Sequence, residues 1–228
     1  MDIWYFILVI PAFLISLGAQ FLVNSTFKRY SQVRNYRGLT GADAATRVLN
    51  SHGVYGVRVE PIQGNLTDHY DPRTNVIRLS DSVYQSTSVA AVGVACHEAG
   101  HAVQYAEHYV PIKLRAAIIP VTNIGSSIGL VLAFVGLWLV NNTLAIAGII
   151  LFSTVVLFQL LTLPVEFNAS ARALKTIKND SLLEGEEYDG AKKVLQAAAL
   201  TYVAAMLTSL MNLLRLILLL QGNNRRRR

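Results

Sequence analysis

The chain is poor in cysteine and in charge. Cys96 is the single cysteine among 228 residues, and Asp, Glu, Lys and Arg together make up only 15%. One cysteine excludes an intramolecular disulfide, and so excludes a cross-linked secreted scaffold; it agrees with a reducing compartment. The scarcity of charge, set beside 53% apolar residues and a positive mean hydropathy, excludes a disordered chain and an ordinary soluble domain. No Lys or Arg precedes Lys28, and the start carries Asp2. The first apolar run therefore lacks the positive start of a secretory signal and is longer than a signal's apolar region. It is expected to be a retained anchor. Internal repeats are absent, and Arg225-Arg226-Arg227-Arg228 is the only low-complexity piece.

What the sequence does have is long apolar runs. A bilayer-spanning helix needs roughly 20 apolar residues, and four segments qualify: about Ile3 to Val23, Ala116 to Val140, Thr143 to Leu163 and Ala198 to Leu220. Of the 20 Lys and Arg, ten fall in 24–115 and five in 164–197, whereas the Asn141-Asn142 turn has none. Lys28, Arg29, Arg34 and Arg37 follow the first span, and Lys113 and Arg115 precede the second. The positive-inside tendency then places both polar regions on the cytoplasmic side. Arg215 and the basic tail resist this, because four full spans export the tail; the fourth helix either tilts, inserts partly with Arg215 snorkelling or facing the bundle, or carries the tail across. The net charge of +6 reads as a topology signal, and no basic and aromatic surface argues for nucleic acid.

The first polar region mixes helix and strand. "FKRYSQVRNYRG" is a basic juxtamembrane strip. Thr40 is a candidate N-cap for a short helix with Ala44, Ala45, Val48 and Leu49 at helical spacing and Gly53 as its stop. Residues 56–62 alternate like a strand, a turn follows at Gln63-Gly64-Asn65, and Asn75 to Leu79 reads as a second strand, so a small hairpin or two-stranded edge is expected. One helix is placed from about Thr87 to His108, capped at Ser86 or Ser88 and ended by Pro111. Its first half is apolar nearly all round, as in a helix buried among other elements.

That helix carries the chemistry. His97 and His101 are four apart, so their imidazoles leave one helix face a turn apart and can grip one cation, with Glu98 beside them. This is the HExxH pattern, in which the histidines bind zinc and the glutamate acts as general base. A catalytic zinc usually has a third protein ligand. His108 returns to nearly the same face but lies two turns, about 10 Å, further along. A metzincin continuation would need Gly at 104 and His at 107, where the chain has Gln104 and Glu107. Glu166, in "TLPVEFNASARAL" after the third span, is the better candidate, a carboxylate from a second helix. Cys96 points about 100° away from His97 and reads as a small buried hydrophobe.

Hydrolysis also needs a donor for the developing oxyanion. His69, Tyr70, Tyr105, His108 and Arg172 are candidates, with His69 or Tyr70 in "TDHYDP" preferred. The strand Asn75 to Leu79 is either a half-buried structural strand or the edge to which an extended substrate peptide adds.

Through "LTDHYDPRTNVIRLSDSVYQSTSVAAVGVACHEAGHAVQYAEHYVPIKLR" and "LPVEFNASARA" the chain resembles the neutral zinc metallopeptidase family of bacterial membranes, the YugP type, along nearly its whole length. The resemblance implies a membrane-anchored zinc endopeptidase with His97 and His101 as ligands and Glu98 as catalytic base. The layout is more distantly similar to membrane gluzincins. Those often carry an Asp four residues after the ligand glutamate to orient a histidine; here that position is Ser170, and Asn168 or Asp68 are alternatives for the supporting role.

The expected fold is a mainly α integral membrane protein with about four transmembrane helices and a small cytoplasmic α+β zincin-like catalytic region containing a short β-hairpin. The expected divisions are 1–23 (anchor), 24–115 (catalytic region), 116–163 (transmembrane hairpin), 164–197 (helices with the third ligand) and 198–228 (last membrane helix and tail). The expected function is a zinc-dependent metalloendopeptidase with one Zn2+ per chain, bound by His97, His101 and Glu166. Glu98 would act on a metal-activated water, and the substrate would be a membrane-associated or unfolded polypeptide. The alternative is a non-catalytic zinc-stabilised membrane scaffold, and an intramembrane protease ranks below both because HExxH precedes the second span by at least 14 residues.

Overall fold

A computed structural model describes residues 2–225; Arg226, Arg227 and Arg228 of the basic tail lie outside it. The elements, in order, are α1 (Ile10–Tyr30, preceded by a π-helical turn Tyr5–Val9), α2 (Gly41–Ser51), β1 (Arg58–Ile62), β2 (His69–Asp71), β3 (Val76–Ser80), α3 (Val89–Ala106), α4 (Val110–Ile124), α5 (Leu130–Trp138), α6 (Asn142–Asn179) and α7 (Gly185–Arg225). The chain is thus mostly helical with one small sheet. Two compact units share it. One contains Pro111–Pro164 with the segments up to Gln20 and from Thr201 onward; the other contains Phe21–Val110 and Val165–Leu200.

Four helical stretches are long and apolar enough to cross a membrane: Tyr5–Tyr30, Val110–Trp138, Asn142–Asn179 and Gly185–Asn223. In the first unit α4 and α5, joined through the π-helical turn Gly125–Gly129, pack on α6 at very short range. A methyl group at Gly136 or Gly148 would strike the backbone of Ala145 or Ala133, so glycine is what permits this approach. Ser16 of α1 and Thr208 of α7 share a 2.9 Å hydrogen bond. Leu216 of α7 is fully buried in a cluster with Ala133 and Phe152.

Arg215 faces the bundle. Its guanidinium donates to Asp2 at 2.6 and 3.2 Å and lies over the rings of Tyr5, at 4.8 Å, and Phe134, at 4.9 Å. A carboxylate and two π faces supply locally the solvation that the charge loses by burial. Further along α7, Asn223 Nδ2 donates to Leu137 O at the end of α5. Helix α7 continues unbroken through Arg215.

The second unit surrounds α3. Thr40 caps α2 through a reciprocal capping box with Asp43, and Gly53 just beyond its end has φ +66°. Ser88 caps α3 by accepting from Ala91 N. The buried Asn35 amide ties the loop after α1 to the start of α3, donating to Leu39 O at 2.7 Å and Thr87 O at 2.6 Å. Apolar faces of α2, β3, α3 and the second half of α6 meet in one core containing Val48, Ile77, Val92, Cys96, Ala173 and Ile177.

Two expectations need correction. The sheet is not a hairpin of 56–62 with 75–79 but three strands in the order β1-β3-β2, with β1 parallel and β2 antiparallel to β3. The missed strand is three residues long, too short for alternation to show. The strand at 75–79 is consequently the central one, with Val76, Ile77, Leu79 and Ser80 buried, and it cannot serve as a peptide-accepting edge. Helix α3 also stops at Ala106, before Pro111. His108 takes the left-handed conformation at φ +57°, while His108 N and Tyr109 N donate back to Tyr105 O and Gln104 O, a Schellman motif.

Candidate metal centre

Residues 97 and 101 present their rings on one face of α3, with centroids 4.7 Å apart and planes at 82°. Glu166, on the part of α6 that packs against α3, is 2% exposed. Its Oε2 lies 3.2 Å from His97 Nε2 and 3.5 Å from His101 Nε2. The three donor atoms all lie within 4.8 Å of one another. Tetrahedral zinc with bonds of about 2.0–2.1 Å separates adjacent donors by roughly 3.3 Å, so two imidazoles and a buried carboxylate at this spacing fit the ion.

Gly100 makes the approach of α6 possible. A Cβ there would sit 2.8 Å from Ala169 O and 3.3 Å from its Cα. The backbone of α6 therefore crosses α3 between the two histidines, three residues after Glu166. The small residue between the two histidines is what lets Glu166 arrive.

The Nδ1 atoms are occupied elsewhere, which turns both Nε2 atoms to the cluster. His97 Nδ1 is 3.1 Å from Ser170 Oγ. His101 Nδ1 is 3.0 Å from Gln104 Oε1. Gln104 is fully buried, and its Nε2 donates to Val165 O and to Asn168 Oδ1, both at 2.9 Å. With both amide protons used, Oε1 must accept, so Nδ1 of His101 carries the proton and Nε2 keeps its lone pair for a metal. Asn168 is held in turn by Arg172 Nε at 2.7 Å, and Arg172 pairs with Glu107 at 2.6 Å. Burial disfavours a charged His101 ring, yet the bond it donates to Glu166 and the nearby Glu98 charge outweigh it and raise its pKa.

Of the expected supporting residues, Ser170 touches His97 directly and Asn168 acts through Gln104. Gln104 was missed as a partner, although its place three residues after His101 puts it on the same helix face. Asp68 does not reach a histidine. It accepts from Ser80 N at 2.7 Å and from Ser80 Oγ, and burial raises its pKa, with the charge of Glu98 adding to the shift. Glu98 itself is half-buried.

The oxyanion candidates scatter. The Tyr70 hydroxyl donates to Asn75 Oδ1 at 2.7 Å and its ring leans on Tyr105 at 5.5 Å, so both tyrosines belong to a packing cluster. His108 is exposed at the helix stop, and Arg172 is engaged with Asn168 and Glu107. His69 lies half-buried in β2 with Nδ1 2.8 Å from Thr67 O, so its Nε2 can donate only when the ring is protonated. Cys96 is fully buried in the core, and burial pushes its thiol pKa up.

Because Gln104 orients one ligand and ties α3 to α6, Gln104→Ala is expected to weaken zinc binding about 10- to 100-fold. Competition with a chromophoric chelator would measure this, and an unchanged affinity would remove Gln104 from the site.

Two histidines one turn apart and a buried glutamate from a crossing helix make up a donor set that could hold a metal ion, with Glu98 beside the first histidine. The chain belongs to the family described as "Putative neutral zinc metallopeptidase", which it matches over residues 5–221. It is 49% identical over 215 residues to the "Putative membrane protease YugP" of Bacillus subtilis (strain 168), covering 94% of this chain and 96% of that relative. No solved structure matches the chain.

Proposed function

We propose that this protein is a membrane-anchored, zinc-dependent metalloendopeptidase, with one zinc held by His97, His101 and Glu166 and its active site at the cytoplasmic membrane surface. The convergence of those three donors, each histidine with its Nδ1 already bonded, carries the reading. When bound, zinc supplies a Lewis acid that polarises the scissile carbonyl and makes the attacking water more acidic. Glu98 takes a proton from that water as its oxygen bonds to the carbonyl carbon, and delivers it to the amine as the C–N bond breaks. His69, when protonated, is the remaining donor for the oxyanion.

The sheet order supports a revised substrate path. β2 is an edge strand packed against α3, so an extended peptide adds to β2 and not to β3. The cytoplasmic placement rests on the basic residues flanking the spans, and the membrane-surface placement on Glu166 following Pro164 by two residues in one continuous helix.

Purified protein is expected to cleave unfolded casein, to lose activity on chelation and to regain it with one equivalent of zinc. Zinc bound one per chain without cleavage would favour the scaffold reading. Orientation has its own test, because Cys96 is buried and gives little background. Asn65→Cys, in the exposed loop before β2, is expected to resist impermeant maleimide in intact cells and to react after lysis. Labelling in intact cells would reverse the assignment.

A further inference from the structure

Between the second half of α1 and the start of α7 lies a groove of about 310 Å³ lined by Leu22, Thr26, Arg29, Lys193, Gln196 and Leu200, among others. It combines two cations with apolar walls. Arg29 stands 5.6 Å over the Tyr30 ring, and neither Arg29 nor Lys193 pairs with a carboxylate among the described residues. Of the carboxylates around the start of α7, Glu184 pairs with Arg37 and Glu187 accepts from Tyr36 N, and Asp189, one turn before Lys193, forms no ion pair with it. Leu22 and Leu200 are 43% and 46% exposed, so the apolar wall is left open among the described residues.

We propose that this groove binds one anionic phospholipid, with the headgroup phosphate between Arg29 and Lys193 and the start of an acyl chain along Leu22 and Leu200. Both helices that form it are apolar enough to cross a membrane, and Arg29 lies near the end of one such helix and Lys193 near the start of the other. That places the cations where an anionic headgroup meets its chains. Thr26 and Gln196 add hydrogen-bonding side chains beside the phosphate position. The volume holds roughly ten water-sized groups, enough for a phosphate and glycerol but not for two whole chains. Zwitterionic lipids bring their own cation to the same place and are disfavoured there. The inference rests on the membrane reading alone and is independent of catalysis.

Native mass spectrometry of the full-length protein in detergent, titrated with phosphatidylglycerol or phosphatidylcholine, tests it. Wild type is expected to take up one phosphatidylglycerol in preference to phosphatidylcholine. Neutralising both cations, R29Q with K193Q, is expected to weaken that uptake about 30-fold, and either single variant about fivefold. A control pair on the same two helices, K28Q with K192Q, is expected to change it less than twofold. Equal weakening by the control pair, no preference for the anionic lipid in wild type, or full competition by soluble glycerol phosphate would each overturn the proposal. The first would indicate diffuse surface charge and the last a free-anion site. Arg29 and Lys193 are exposed, so the variants are expected to fold; unchanged melting in phosphatidylcholine checks this, and the single variants carry the test should the double variant fail it.

Discussion

Glu98→Gln is expected to lower peptide-bond cleavage by about two to four orders of magnitude while zinc stays bound one per chain. The amide has the shape of the carboxylate but cannot accept the proton of the attacking water, so the loss falls on kcat. Zinc is expected to be retained because the donor atoms that converge belong to His97, His101 and Glu166, and Glu98 contributes none of them. The charge of Glu98 acts on both His101 and Asp68 and raises the pKa of each. Steady-state cleavage of a quenched fluorescent peptide, with zinc quantified in the same samples, reads both quantities. If Glu98→Gln kept more than a tenth of wild-type kcat with zinc in place, proton transfer would belong to another group. Asp68 would be a poor replacement, since its oxygens already accept from Ser80 N and Oγ.

A methyl group at Gly100 should dismantle the site from behind. In Gly100→Ala the new Cβ would lie 2.8 Å from Ala169 O, a backbone atom that cannot rotate away. Either α6 withdraws or α3 shifts, at about 1–3 kcal/mol for the overpacking. Glu166 moves with α6, so zinc affinity should fall by at least the roughly 10- to 100-fold that follows from losing a ligand's support. Gly93→Ala is the matched control two turns earlier on the same helix. There the nearest atom to a new Cβ is Ala191 Cβ at 3.4 Å, an ordinary contact. That variant should keep its zinc and gain slightly in stability from the better helix former. Melting temperature and chelator competition on the two variants decide it; equal zinc affinity would mean that α6 does not depend on Gly100 for its approach.

The long apolar helices are legible because their signal is additive along the chain. Each long apolar run announces itself without any partner, and the capping of α2 by Thr40 and of α3 by Ser88 is equally local. Arg215 was the one residue that periodicity could not place. Its partner Asp2 is 213 positions away, and only folding brings the two charges together. The sheet was misread for a related reason. Strand β2 has three residues, and its partner β3 also pairs in parallel with the distant β1, so nothing within the segment reveals the pairing.

The metal site divides along the same line. His97, Glu98 and His101 could be read directly, since helical spacing alone sets two imidazoles on one face. Glu166 could be nominated from sequence as a carboxylate in an unusual setting, but its arrival depends on α6 crossing α3 at Gly100. Gln104 stood in plain view as the residue that spoils a metzincin pattern. Its role, fixing the tautomer of His101 through bonds to Val165 and Asn168, exists only once the two helices touch. Sequence by itself determined the chemistry available, because residue type and helical period are local properties. Tertiary structure decided which groups meet, because a contact across 69 residues, such as that of His97 with Glu166, depends on how closely two backbones can pack.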